Sequence, residues 1–240
     1  MPVDRIFKGA LALVVYYRKE LAKALLLPIT AYLLINYLLI SPANTGVSLL
    51  GSLMTMALQC LIAVTVHRIV LLGPQAVEVW GPKRWTARDS RFLLHMIGLV
   101  CMITIACMPF MVMVVATPAI TILGAIFCYV LLTMRLSLVF PAIAMDREFG
   151  FKEAWQLSGR YLKEMFFTVA IVPFIVMLPA IPLALLVSFD LTLVSIVTTI
   201  WPMLATVMIV AALSVTYKGI IDGESGKAVE SSIESDTEEG

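Results

Sequence analysis

Two long stretches of this chain contain no charged residue, and they constrain its fold more than any other feature. One lies between Lys23 and Arg68 and has 44 residues, and the other lies between Arg91 and Arg135 and has 43. As a helix, each stretch would be roughly 65 Å long, about twice the ~30 Å hydrocarbon core of a bilayer. Each therefore has to contain two membrane-spanning helices joined by a turn.

Turn signals lie in the middle of both stretches. Residues 41–46 read Ser-Pro-Ala-Asn-Thr-Gly, and residues 116–118 read Ala-Thr-Pro. Two further charge-free runs follow, on either side of Asp190, and each is long enough for one span. The sequence thus predicts six spans, at about 21–40, 47–67, 92–115, 118–139, 165–189 and 191–217.

The composition is that of a membrane protein, since 61% of the residues are hydrophobic and only 14% are charged. Bilayer hydrocarbon offers no partner to an open strand edge, and the runs lack the alternation of a transmembrane barrel, so the spans should be helices. The predicted fold is all-α: a polytopic membrane protein whose six transmembrane helices form three hairpins with amphipathic interfacial helices. This domain covers residues 1–220.

The basic residues predict the orientation in the membrane. All 17 lysines and arginines lie before the first span, in the second-to-third and fourth-to-fifth connections, or after the last span. By the positive-inside rule this side is cytoplasmic, so both termini are expected in the cytoplasm. A secretory signal is the alternative for the N-terminus, but Arg18-Lys19-Glu20 follows the apolar run where small cleavage-site residues are expected.

Two segments have the pattern of amphipathic helices that lie in the membrane interface. Residues 151–165 place apolar side chains on one helical face and charged ones on the other, and residues 3–20 have a similar pattern. On the first segment the apolar face contains Phe151, Ala154, Trp155, Ser158, Leu162 and Met165.

The same two segments indicate an internal repeat. At an offset of 144 they are identical at seven of fourteen positions, including Ala10 with Ala154 and Tyr17 with Tyr161. A repeat would divide the spans into three units, 1–72, 73–147 and 148–222. Shared amphipathic composition is the alternative explanation of the identities.

Two local signals concern the middle unit and the tail. Thr86 and Asp89 have the spacing of a capping box that opens the third span.

Residues 222–240 are rich in Ser, Glu and Gly and predict a disordered acidic tail. The tail is expected either to be solvated or to fold back on the basic cytoplasmic face.

Several cations arrive near the predicted cytoplasmic boundary and are the candidate site residues. Arg68, Arg135, Arg160 and Lys163 are predicted to contact anionic lipid headgroups, because guanidinium and ammonium groups at this depth reach headgroup phosphates. Ordinary snorkelling anchors are the simpler interpretation of the same residues.

Residues with other chemistry are present but lack the required partners. His67 and His95 have neither a paired-His spacing nor a carboxylate within the membrane, and the four cysteines contain no CxxC pair. None of the spans contains Asp or Glu, which disfavours ion-coupled transport. The chain also lacks a P-loop and a GxSxG motif. We therefore expect no catalytic residue, no metal and no cofactor.

One stretch resembles a known membrane family. The pattern begins Arg135-Leu-Ser-Leu-Val-Phe-Pro141 and continues Gly150-Phe-Lys-Glu-Ala-Trp-Gln-Leu-Ser158-Gly-Arg-Tyr161. It resembles the integral membrane domain attached to some glycerophosphodiester phosphodiesterases, and related multi-span proteins of bacterial inner membranes. The phosphodiesterase barrel itself is missing from this sequence, so nothing catalytic is implied. The resemblance implies a bacterial inner membrane and a scaffold that approaches phospholipids.

The sequence therefore predicts a non-enzymatic membrane scaffold or lipid-contacting component. Its expected partners are the lipid bilayer and anionic phospholipid, with no nucleic acid. The alternative is a channel or permease-like component for a small or lipophilic solute, because Pro173, Pro179 and Pro182 crowd the fifth span. A membrane-embedded enzyme is the third interpretation, because it needs polar groups that converge at one depth, and the sequence does not show them.

Overall fold

The computed structural model is helical, and the residues it describes contain no β-strand. It describes residues 3–39, 45–80, 84–111, 117–180, 182 and 191–238. Numbered in chain order, the α-helices are α1 Val3–Tyr16, α2 Arg18–Leu39, α3 Thr45–Leu72, α4 Ala87–Met111, α5 Pro118–Leu136, α6 Val139–Ala144, α7 Phe151–Arg160, α8 Leu162–Phe166, α9 Val172–Met177 and α10 Leu191–Glu238. A 3-10 turn, Pro74–Ala76, follows α3, and a π-helical turn, Phe167–Ile171, joins α8 to α9. The predicted all-α class is confirmed.

Four of the described helical segments are long and apolar enough to cross a membrane. They are Ser48–Leu72, Ala87–Met111, Pro118–Ala144 and Ile200–Glu224. These segments coincide with the predicted second, third, fourth and sixth spans, and their length and composition are those of a membrane-embedded protein.

The six-span count is not confirmed, because the first and fifth predicted spans are not among these four. The first coincides with α2, a 22-residue helix that begins with the charged sequence Arg18-Lys19-Glu20. The fifth is divided among α8, the π-helical turn and α9, and its end lies outside the described residues. Residues 41–44 of the predicted turn at 41–46 also lie outside them, as does the separating Asp190, whereas Thr45 and Gly46 begin α3.

A turn divides the fourth predicted span near its end. α5 stops at Leu136, and α6 begins at Val139 after a turn at Ser137 and Leu138. Pro141 follows this turn, and because it has no N–H and its ring crowds the carbonyl group four residues earlier, it favours an interruption of the helix here. All six residues of α6 are buried, so this short helix lies within the core.

Two apolar clusters connect the helices. The first surrounds α6 and includes buried residues of α3, α4, α7, α8 and α10. The second joins α1, α2, α3, α9 and α10. Because lipid tails are as apolar as these side chains, close packing and interhelical hydrogen bonds hold such helices together, rather than the exclusion of water.

Hydrogen bonds between side chains fix α10 against its neighbours. His67 Nδ1 of α3 lies 2.7 Å from Ser214 Oγ, and Thr168 Oγ1 of the π-helical turn lies 2.7 Å from Thr216 Oγ1. The indole N–H of Trp201 donates to the carbonyl oxygen of Val176 at 3.1 Å. Of these groups, Nδ1 of the buried His67 depends on the contact for its partner, whereas the two threonines and Ser214 also bond to carbonyl oxygens of their own segments.

Charged contacts bring one end of several helices together. Arg68 of α3 and Arg88 of α4 both contact Asp146, which follows α6. The next residue, Arg147, donates to the hydroxyl of Tyr217 on α10 at 3.3 Å. We call this end, where the arginines meet, the basic end of the bundle.

The two interfacial segments form helices that break at matching positions. α1 ends before a turn at Tyr17, and α7 ends before Tyr161, which interrupts the helix predicted for 151–165. Ala10 and Ala154, at the same offset, are both fully buried. The predicted apolar face of the second segment is only partly covered, because Trp155 remains 41% exposed. The three-unit repeat stays a prediction that these similarities favour.

The last helix extends further than the sequence indicates. α10 runs to Glu238, so the backbone of the acidic segment is helical as far as it is described, where the sequence predicts disorder. Helix propagation from an existing span is easier than nucleation, and Ala, Glu and Lys are good helix formers. Whether the tail is solvated or folds back on the basic face stays a prediction.

Candidate functional site

Arg68 connects three segments at the basic end. Its Nη1 donates to the carbonyl oxygen of Ala144 at 2.9 Å and to the carboxylate of Asp146 at 3.0 Å. Its Nε donates to the carbonyl oxygen of Ala76, just after α3, at 3.2 Å. The side chain is only 16% exposed. Arg68 is therefore turned into the protein rather than extended along the lipid.

Asp146 occupies an unusual backbone conformation immediately after α6. Its φ angle is 60°, in the left-handed region, which Asp tolerates better than most residues other than Gly. The N–H of Asp146 donates to the carbonyl oxygen of Ile143 at 2.9 Å, which closes the turn. Its carboxylate accepts from both Arg68 and Arg88, so one acid bridges two guanidinium groups.

Arg88 is positioned by the predicted capping box, which is confirmed. The N–H of Thr86 donates to Asp89 Oδ2 at 2.8 Å, and the N–H of Asp89 lies 3.4 Å from Thr86 Oγ1. The box begins α4 at Ala87 and places Arg88 in its first turn, with its side chain 18% exposed. Nη1 of Arg88 donates to Asp146, whereas its Nε is buried and has no hydrogen-bond partner.

A cavity of about 310 Å³ lies between α3, the segment that follows it and the start of α4. We call it the arginine cavity. Leu61 and Val64 supply part of its apolar lining. Its charged lining consists of Arg68, Arg84, Arg88, Glu78 and Asp89. The volume is within the range of small-molecule sites, which starts near ~300 Å³.

Three guanidinium groups and two carboxylates line this cavity, so the cations outnumber the carboxylates, and Glu78 already has a partner. Asp89 is engaged by the cap of α4, and Asp146 lies between two guanidinium groups. Arg84 is exposed, and no ion pair or hydrogen bond engages its side chain within the part of the chain that the structure describes. Nε of Arg88 lies 3.9 Å from Asp89 Oδ1 and makes no hydrogen bond, so together with Arg84 it offers N–H groups to an anion. Guanidinium groups bind phosphate oxygens through two N–H bonds at once.

The structure does not bring the four predicted lipid-contacting residues together. Arg68 lines the arginine cavity, but most of its donors are engaged by protein oxygens. Arg160 is exposed and pairs with Glu224 at 3.1 Å. Lys163 is exposed in α8.

Arg135 stacks on an aromatic ring. Its guanidinium carbon lies 4.3 Å from the centre of the Trp155 ring. A Cβ atom added at Gly159 would come within 2.7 Å of Arg135 Nη1, so the glycine makes room for the stacked arginine. The Arg and Gly of the family-like pattern thus have a packing relationship here.

The histidines and cysteines occupy packing positions. His67 is buried against Phe92 and Ser214, and His95 packs against Phe151 with its ring centre 5.0 Å away. All four cysteines are free thiols. Within the described ranges, no three His, Cys, Asp or Glu side chains come close enough together to hold a metal ion.

The sequence interpretation did not single out Arg84, Arg88 or Asp146 as site residues. In the sequence, Arg84 and Arg88 are evidence only of the orientation in the membrane. The Thr86–Asp89 capping box is a signal that could have identified Arg88, because it places this residue in the first helical turn. No local signal identifies Asp146, because its role depends on α3 and α4 meeting beside it.

Comparison of the chain with protein-family models, with curated proteins and with solved structures gives no match.

Proposed function

We propose that this protein is a non-enzymatic, lipid-contacting component of a bacterial inner membrane that holds an anionic, phosphate-bearing headgroup in the arginine cavity. The observation that carries the proposal is the buried Nε of Arg88, which makes no hydrogen bond and has only an ion-pair contact of 3.9 Å with Asp89 Oδ1, in a cavity that Arg84 also lines. A buried donor without an acceptor is costly, and a ligand oxygen would remove that cost.

The position of the cavity favours a lipid over a soluble ligand. Arg68 lies one turn before the end of the candidate span Ser48–Leu72, and Arg88 lies at the start of Ala87–Met111. The ends of spanning helices are at the depth of the headgroups. The apolar lining beside Leu61 and Val64 suits the glycerol part of a phospholipid, while the guanidinium groups suit its phosphate.

The proposed setting follows from the sequence. Segregated lysines and arginines favour an orientation with both termini in the cytoplasm. The resemblance carried by Arg135–Pro141 and Gly150–Tyr161 implies a scaffold near phospholipids, and a headgroup site agrees with that implication. We therefore propose anionic phospholipid as the partner of this cavity.

Native mass spectrometry in detergent tests the proposal. We expect wild-type protein to retain phosphatidylglycerol in preference to phosphatidylcholine. Arg84→Gln should reduce the retention of phosphatidylglycerol about tenfold, because a hydrogen bond to a charged group contributes roughly 1.5–3 kcal/mol. Arg84 is exposed, so this substitution leaves the packing of the bundle intact.

Arg91→Gln is the matched control, since it removes the same charge from the same basic region at an exposed residue outside the cavity lining. If both variants lose lipid equally, the arginines act only as general anchors and the proposal fails. Competition with excess inorganic phosphate distinguishes a lipid headgroup from a free phosphate ion as the ligand. Displacement of the lipid by phosphate at similar concentration would indicate a soluble anion site instead.

The channel alternative has less support from the described residues. Pro173, one of the prolines that favour it, lies next to Val172 of α9, which packs with Met203 and Val207 of α10, and these three residues are buried. Trp201 also donates to the carbonyl oxygen of Val176. A packed apolar contact at this depth favours the scaffold.

A further inference from the structure

A second cavity, of about 630 Å³, lies between α1, the end of α3 and α10. It shares no lining residue with the arginine cavity. Leu13, Val70 and Val215 give it an apolar lining from three helices. Gly9 and Gly219 line it on α1 and α10, and their missing side chains leave space between the two helices.

Two opposite charges stand at the rim of this cavity. Lys218 and Asp222 both line it, both are exposed, and they lie four residues apart on α10. Side chains at this spacing can reach each other on a helix, and they commonly pair. Within the part of the chain that the structure describes, no ion pair or hydrogen bond engages either of them. The rim therefore offers one cation and one anion, separated by about one helical turn of ~5.4 Å.

A third polar group faces the same cavity. Gln75 lines it, and its side-chain N–H donates to the carbonyl oxygen of Leu72 at 3.1 Å, which leaves the amide oxygen as an acceptor. Gly73, with a φ angle of 89°, makes the turn that brings Gln75 to this position. A Cβ atom at Gly73 would come within 2.8 Å of the Gln75 amide, so the turn requires glycine.

We propose that this cavity binds the headgroup of an aminophospholipid of the phosphatidylethanolamine class. Lys218 donates to the phosphate, and the carboxylate of Asp222 and the amide oxygen of Gln75 accept from the primary ammonium group. The phosphate and ammonium of this headgroup are joined by two carbon atoms, a separation comparable to that of the two charges on α10. The proposal uses different residues from the arginine cavity and does not rest on it.

The acceptors distinguish a primary ammonium from a choline headgroup. A quaternary ammonium has no N–H to donate and is recognised by several aromatic faces, whereas Tyr17 is the single aromatic side chain in this lining. Asp222 and Gln75 instead supply oxygen atoms, which suit N–H donors. The apolar lining favours a lipid rather than free phosphoethanolamine, because it covers the glycerol part of the molecule.

A methylation series of lipids tests this assignment by native mass spectrometry. The probes are phosphatidylethanolamine, its N-methyl and N,N-dimethyl forms, and phosphatidylcholine, which keep the same charges while N–H donors are removed one at a time. We expect wild-type protein to retain phosphatidylethanolamine about tenfold more than phosphatidylcholine, with a graded fall between them. Asp222→Asn should abolish this preference, and Lys218→Gln should lower the retention of all four lipids.

Glu148→Gln and Lys152→Gln are matched controls, since both residues are exposed and outside this lining. They should leave the series unchanged. Equal retention across the series in wild type, or a preference that survives Asp222→Asn, would overturn the proposal. Soluble phosphoethanolamine that displaces the lipid at similar concentration would overturn the lipid assignment. Phosphatidylglycerol retention, measured in the same spectra, reports separately on the arginine cavity.

Discussion

Tyr161 donates a hydrogen bond of 2.5 Å to the carboxylate of Glu224, which joins the break between α7 and α8 to the end of the last candidate span. Arg160, the preceding residue, pairs with the same carboxylate at 3.1 Å. The two contacts fasten the second interfacial segment to α10. Their distances identify the phenol as a strong donor to a charged acceptor.

This contact predicts an unusual titration of Tyr161. The hydrogen bond to Glu224, aided by burial, raises the pKa of Tyr161 from 10.0 to about 12. The folded state favours the protonated phenol, so the resulting stability is fully present below pH 10 and is lost as the pH rises through 12. We expect Glu224→Gln to move the pKa of Tyr161 back toward 10, because the charged acceptor is removed.

Ultraviolet absorbance titration of the phenolate measures this pKa, with Tyr161→Phe subtracted to isolate the signal of this residue from the other tyrosines. An unchanged Tyr161 titration in Glu224→Gln would show that burial rather than the hydrogen bond raises the pKa.

Ser214→Ala should destabilise the contact between α3 and α10. The substitution leaves Nδ1 of the buried His67 without its partner at 2.7 Å. We expect a loss of roughly 1–2 kcal/mol, since interhelical hydrogen bonds in membranes are weak but an unpaired buried group is costly. Thermal unfolding in detergent measures the effect. Thr104→Ala is the control, because this exposed threonine bonds only to its own helix at Val100, and it should change the stability little.

Gly124→Ala should separate α4 from α5. A Cβ atom at this position would overlap the ring of Phe110 on the facing helix. Overpacking of this kind costs typically ~1–3 kcal/mol, because the ring or the helices must shift. The midpoint of thermal unfolding in detergent should therefore fall. Gly9→Ala should be tolerated, since its nearest neighbour, Val215 Cγ1, lies at 3.5 Å, and equal destabilisation by both changes would contradict this packing account.

Asp146→Asn should have opposite effects on stability and on lipid binding. Asn tolerates the left-handed backbone at this position, so the substitution mainly removes the negative charge between Arg68 and Arg88. Both guanidinium groups then lose a charged acceptor, which lowers the stability, but they become available to an anionic headgroup. We expect higher retention of phosphatidylglycerol together with a lower unfolding temperature. Reduced retention would indicate that Asp146 is needed to position the arginines.

The features predictable from the sequence are those that local interactions determine. The Thr86–Asp89 capping box forms as its three-residue spacing indicates. The burial of Ala10 and Ala154 agrees with the amphipathic pattern of their segments. The sequence interpretation does not predict the turn at Ser137 and Leu138, because it places the spans from charge-free lengths and from the turn signals in the middle of the two long stretches. The proline was available as a signal that α6 is separate from α5.

The arginine cavity could not be predicted, because it depends on contacts between distant parts of the chain. Arg68 and Asp146 are 78 residues apart, and Arg88 and Asp146 are 58 apart. The position of Arg68 along its predicted span places it near the cytoplasmic boundary of the membrane but does not show which helix lies beside it. The same estimate of depth places Arg135 at this boundary, although its guanidinium group stacks on Trp155 and does not line the arginine cavity.

Photo-crosslinking with phosphatidylglycerol that carries a photoreactive headgroup tests whether the arginine cavity holds an anionic lipid, because it locates the lipid on the chain. We expect adducts concentrated on residues 84–91, competed by unlabelled phosphatidylglycerol but not by phosphatidylcholine, and lost in Arg84→Gln but kept in Arg91→Gln. Adducts spread evenly over the exposed faces of α4 and α5, and unaffected by Arg84→Gln, would contradict this expectation.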